Sequence, residues 1–120
     1  MAAKDDLGRS GEARAVAHLG DRGYSILDRN WRCPAGEVDI VASHRGMLCV
    51  VEVKTRTSLR YGHPFEALDE RKVGRLWRLA HAWIEAHPGL AVHSRVRLEA
   101  IGIVGADPRT GTLEHLVDLR

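Results

Sequence analysis

Cysteine is scarce in this chain: Cys33 and Cys49 are the only two in 120 residues. Cys49 lies inside an apolar run, so no disulfide framework is suggested and a reduced compartment is expected. The opening MAAKDDLGRS has no apolar signal-peptide core, and no stretch approaches the roughly 18 apolar residues of a membrane span. The expectation is a cytoplasmic protein with no membrane partner. Repeats, low-complexity tracts and Gly/Pro/Ser-rich linkers are also missing, so residues 1–120 are expected to form one domain. The seven histidines show neither HExxH nor paired CxxC spacing, so zinc is set aside. Gly8-Arg9-Ser10-Gly11 lacks the Lys-Ser/Thr of a phosphate loop, and no Ser-His-Asp elbow appears.

Net charge is low as well. A formal +2 does not by itself announce a nucleic-acid partner. From Lys54 to Arg78, however, cations outnumber acids, and the acids are bunched between Glu66 and Glu70. Most such runs are solvated helix faces, so this alone is weak support for nucleic-acid binding.

What is present is enough apolar residue, 44%, for one core. Residues from about Asp6 to Arg22 read as a helix, with Leu7, Ala13, Val16, Ala17 and Leu19 on one side and Gly23 at its stop. Gly8 and Gly11 weaken the first turns and move the expected start toward Ser10. Tyr24 to Trp31 predicts a strand. Gly36 to His44 (GEVDIVASH) and Met47 to Arg56 (MLCVVEVKTR) predict two more, joined by a tight hairpin at Arg45-Gly46. The third strand is apolar on both faces up to Glu52 and should be central. After a polar loop from Thr57 to Pro64, Asp69 caps a helix reaching about His87. Val73, Leu76, Trp77, Ala80, Trp83 and Ile84 form its apolar side. Arg95 to Val104 and Leu113 to Leu119 complete an αβββαββ order, a mixed α/β fold.

A two-residue hairpin loop pairs His44 with Met47. Continued along both strands, that register sets Asp39 across from Glu52 and Glu37 across from Lys54, with opposed Cβ atoms about 4.5–5.5 Å apart. Glu52, Lys54 and Arg56 share one face by the period of two. Opposed carboxylates among Val38, Ile40, Val50, Val51 and Val53 repel where water is scarce. A hard divalent cation, Mg²⁺ or Mn²⁺, held by Asp39 and Glu52 resolves this. Lys54 then supplies a point charge beside a phosphoryl group. The alternative is that Asp39, Glu52 and Lys54 form an internal ion-pair network with no ligand; Glu37 reads as a partner of Lys54 rather than as a metal ligand.

Asp39 followed by Glu52-Val53-Lys54 resembles the PD-(D/E)xK nuclease signature. The strings GEARAVAHL, GYSILDRNWR, GEVDIVA and VVEVKTR resemble the YraN family of small bacterial proteins, from about Gly8 to Ala82. The resemblance implies a restriction-endonuclease-like αβββαβ core with a central mixed sheet and flanking helices, and catalytic roles for Asp39, Glu52 and Lys54. Similarity to archaeal Holliday-junction resolvases adds Glu12 on the first helix, although an acid there also suits the helix dipole. Val38 stands where the signature has proline. Glu99 stands where relatives carry aspartate, and it is given no role.

Arg56, Arg60 and Lys72 are candidate phosphate contacts, with solvated charge as the alternative for the last two. Trp77 and Trp83 read as core; Trp31 reads as core or as a base-stacking platform. The leading function is a metal-dependent endonuclease hydrolysing phosphodiester bonds in DNA, branched or flap structures included. The alternatives are a non-catalytic nucleic-acid-binding module that keeps the fold and a protein-interaction adaptor. An exposed edge at Leu113 to Leu119 offers a homodimer contact.

Overall fold

The computed structural model describes residues 3–90 and 95–119, with side chains from residue 6 onward. Its elements are α1 (Ala3–Asp21), β1 (Ser25–Cys33), β2 (Gly36–His44), β3 (Met47–Arg56), a 3-10 turn (Pro64–Ala67), α2 (Glu70–Ala86), β4 (Arg95–Val104) and β5 (Thr112–Leu116). The strands form one mixed sheet in the order β1-β2-β3-β4-β5. Among the described strands only β3 and β4 run parallel. A parallel pair needs a long crossover, which α2 supplies. The arrangement is the restriction-endonuclease-like α/β core that the motif strings imply.

β3 is central, as its apolar run requires. Leu48 and Val50 point to a core layer with Val73, Leu76, Leu79, Ala80 and Trp83 of α2. Cys49 and Val51 point the opposite way, to Ala15 and Leu19 of α1. The helices therefore cover opposite faces of the sheet. Arg45 (φ 51°) and Gly46 (φ 79°) both have positive φ, as a two-residue type I′ hairpin demands. Asp69 caps α2 through its side chain, which accepts from the Lys72 N–H at 2.9 Å. Cys33 and Cys49 are both free thiols. Among the described residues no helix is long and apolar enough to cross a membrane.

Several expectations are corrected. α1 starts at Ala3, not near Ser10, and its buried line is Gly11, Glu12, Ala15 and Leu19, while Ala13 and Ala17 are exposed. Gly11 serves close approach: a Cβ there would run into Thr55 Cγ2 on β3. Trp77 is 39% exposed, and Leu79 takes the buried place instead. Trp83 is core; its Nε1–H donates to Asp28 Oδ2 at 2.8 Å. Trp31 packs partly buried against the α2 layer, which favours its core reading. β5 stops at Leu116, short of Leu119.

The two helix glycines should respond oppositely to alanine. Nothing lies within 4 Å of a Cβ at Gly8, so Gly8→Ala should gain about 0.5–1 kcal/mol of helix stability. Gly11→Ala should lose about 1–3 kcal/mol through overpacking. Adding Thr55→Ala to Gly11→Ala should recover much of that loss in urea melts. Equal effects of the two single variants would contradict the close approach.

Candidate active site

The site forms where β2 leaves β3. Their pairing runs from His44–Met47 to Ile40–Val51 and goes no further. Beyond that point β3 continues on β4 alone, as far as Arg56–Val104, while β2 continues on β1 alone, as far as Gly36–Cys33. At the parting, Asp39 Oδ2 accepts the Val53 backbone N–H at 2.8 Å. A side-chain carboxylate thus takes the place of a ladder carbonyl.

Both β1 and β2 also change faces here. Ile40 belongs to the α1 layer but Val38 to the α2 layer, although alternation alone would put them together. Across the pair, Asn30 adopts a left-handed φ of 54° between Arg29–Ile40 and Trp31–Val38. The switch turns Asp39 and Asn30 toward α1. There Glu12, only 8% exposed, accepts from Asn30 Nδ2 at 2.9 Å and from Arg29 Nε at 3.1 Å.

The expected opposition of Asp39 and Glu52 in one ladder is therefore corrected. Glu12, Glu37 and Asp39 line one cavity of about 390 Å³ with Asn30, Val53 and Thr55. Glu52 and Lys54 line a smaller recess on the α2 side with Lys72 and Arg75. Lys54 Nζ pairs with Glu52 Oε2 at 3.0 Å, and both side chains are largely buried. Glu37 is not its partner; it pairs with Arg32 at 3.5 Å, across β1 and β2.

The electrostatics still tie Asp39 to Glu52. Burial, and next the Glu52 charge, push the Asp39 carboxyl up to about 7; Glu12 and Glu37 add to this and the Val53 N–H opposes it. Among the described residues no three His, Cys, Asp or Glu side chains form a ready cage for an ion. Two carboxylates do fit the habit of Mg²⁺, which takes one or two protein oxygens and completes its shell with water and substrate phosphate. Asp39 and Glu52 would hold it from the recesses on either side of the parting, and its charge would relieve the repulsion between them.

The expected phosphate contacts separate. Lys72 lines the Glu52–Lys54 recess. Arg56 instead donates from Nη1 to the Thr55 carbonyl at 3.0 Å. Arg60 is exposed on the following loop, with its guanidinium 5.6 Å from the centre of the Tyr61 ring. Arg75, on no list of candidates from the sequence, lines the same recess as Lys72 and passes over Gly36, where a Cβ would meet its Nη2 at 2.5 Å. Its spacing from Lys72, i to i+3, is the signal that could have found it.

The family model described as "Uncharacterised protein family UPF0102" matches residues 11–103. A UPF0102 protein of Paenarthrobacter aurescens is 51% identical over 97% of this chain and 94% of its own length. Those of Clavibacter michiganensis subsp. michiganensis and of an Arthrobacter species are 47% and 50% identical, covering 92% and 97% of this chain and 91% and 97% of their own lengths.

The raised Asp39 pKa has a sign that melting can read. The folded value lies above the unfolded one of about 3.9, so stability from this group is full below about pH 4 and is lost as pH rises through 7. Asp39→Asn keeps an acceptor for Val53 and escapes that loss. In EDTA the variant should melt close to wild type at pH 4.5 and several degrees above it at pH 8. Excess Mg²⁺ at pH 8 should raise the wild type more than the variant. A variant that melts below wild type at pH 8, with neither protein responding to metal, would contradict the repulsion.

Proposed function

This chain belongs to the UPF0102 family, and we propose that it hydrolyses phosphodiester bonds in DNA, branched or flap structures included, with a divalent cation, Mg²⁺ or Mn²⁺. The observation that carries the reading is a carboxylate, Asp39, held at the parting of two strands under the charge of Glu52. A fold gains little from such repulsion, whereas a cation site needs it.

In this reading Asp39 and Glu52 would hold the cation, and the chemistry it would supply is polarisation of a phosphoryl oxygen and a more acidic water near neutral pH. Lys54, kept beside Glu52 at 3.0 Å, is positioned to face the developing phosphorane charge. Glu12 is fixed by Arg29 and Asn30 and acts within the Asp39 cavity. Lys72 and Arg75 reach the recess, and Arg71 and Arg78 extend the same basic helix surface. That row suits a phosphate backbone, since such contacts position the strand without reading sequence. A second copy pairing along the β5 edge belongs to the same proposal.

A second reading is a nucleic-acid-binding module without catalysis. The Lys54–Glu52 pair favours it, because it answers the Glu52 charge without any metal ion.

Cleavage separates the two. Purified protein with Mg²⁺ or Mn²⁺ should cut at least one of single-stranded, duplex, flap or four-way-junction DNA, and EDTA should stop it. Glu52→Ala and Lys54→Ala should each abolish cutting with circular dichroism unchanged. Full activity in either variant would remove the proposed site; binding without cutting in wild type would select the second reading.

Binding can be tested on its own. Replacing Lys72 and Arg75 by alanine should weaken binding alike across sequences. On duplex DNA the salt slope should fall by about 0.9 for each phosphate that is no longer neutralised. An unchanged slope would place the nucleic acid elsewhere.

A further inference from the structure

A cavity of about 590 Å³ opens on the α1 side of the sheet, away from the Asp39 cavity. His18, Arg22, His44, Arg45, Arg97 and His115 supply its polar lining. Among the described residues no acid shares that lining. The one carboxylate built into it lies behind: Glu99, fully buried on β4.

The charge of Glu99 is consumed within the protein. Tyr24 Oη donates to its Oε1 at 2.8 Å and His115 Nε2 to the same atom at 2.6 Å; Arg97 Nε donates to Oε2 at 2.7 Å. Burial pushes the carboxyl up, but the bonds from His115, Arg97 and Tyr24 more than offset that and hold it below its ordinary value.

Donor and acceptor roles fix the protons around it. Arg22 Nε can only donate, so the 3.1 Å contact makes His18 Nε2 an acceptor. The same His18 Nε2 lies 3.1 Å from His115 Nδ1. Arg97 Nη2 reaches His44 Nδ1 at 3.0 Å by the same logic, leaving the His44 Nε2–H to face elsewhere.

The balance is positive. Glu99 answers Arg97, while Arg22 and Arg45 stand exposed at the rim with no ion pair among the described residues. Asp21 tempers the field at His18 from α1. Leu113 and Val117 add an apolar wall beside these cations.

We infer that this cavity binds a phosphate group. Guanidinium forks and imidazole N–H groups are the donors that hold such an oxyanion, and the apolar wall suits the organic body that carries it. Arg22 lies about 15 Å from Glu12 along α1. A short nucleic-acid strand can therefore reach from one cavity to the other, and so the phosphate can come from a strand end or from a free anion. Phosphate binding itself does not depend on the nuclease reading; a strand end as its source rests on that reading.

The test uses the full chain and the imidazole NMR signals, at constant ionic strength balanced with chloride. Inorganic phosphate should shift the His18, His44 and His115 signals saturably. The Arg22→Gln/Arg45→Gln variant, which removes two exposed cations, should bind at least tenfold more weakly, while Arg109→Gln on a distant loop should bind as wild type does. A 5′-phosphorylated thymidine dinucleotide binding tighter than phosphate, with its unphosphorylated form inert, assigns the site to strand ends. Equal affinity assigns it to free phosphate, and either result supports the site. Shifts that chloride reproduces, or that survive unchanged in Arg22→Gln/Arg45→Gln, overturn it.

Discussion

The parting of β2 and β3 is the constraint on which this structure turns. β3 must stay in register with β4 through Arg56, yet β2 pairs with it only from Ile40 to His44. The gap would strand the Val53 N–H, and a buried donor without a partner costs about 1–3 kcal/mol. Asp39 answers that need with its side chain at 2.8 Å. In doing so it brings a negative charge to the point where Glu52 follows on β3. Structural satisfaction of one amide and electrostatic tension between two carboxylates come from the same bond.

Two acidic centres on the α1 side show how differently one fold can treat a buried carboxylate. Glu99 has an arginine, a histidine and a tyrosine as donors and is held in its charged form. Asp39 has one backbone N–H and further acids around it, and its proton is held up to about 7. The first is a completed network; the second is an incomplete one. Since native interiors seldom leave charge uncompensated, the incomplete one is where an external cation has most to offer.

Much of this is legible in the sequence because it is local. The apolar runs of GEVDIVASH and MLCVVEVKTR and the Arg45-Gly46 turn determine β2, β3 and their first pairs without reference to the rest of the chain. The register fails beyond Ile40 because alternation carries no mark of where two strands separate. Asn30 tolerates a left-handed φ better than most residues, but nothing nearby announces that it will use it. Gly11 is opaque for a related reason: helix propensity records its cost in α1, whereas its benefit lies in packing against Thr55, on a strand distant in the chain. Glu99 and Arg75 find their places only once β4 and α2 are docked against residues far away in sequence.

The central claim is that Asp39 and Glu52 together hold one hard divalent cation, and calorimetric titration of Mn²⁺ into the protein at pH 8 tests it without any assumption about substrate. The account predicts saturable binding of one Mn²⁺ per chain, lost or greatly weakened in Asp39→Asn and in Glu52→Gln with both variants still folded. No saturable binding to wild type, or unchanged affinity in both variants, would contradict it.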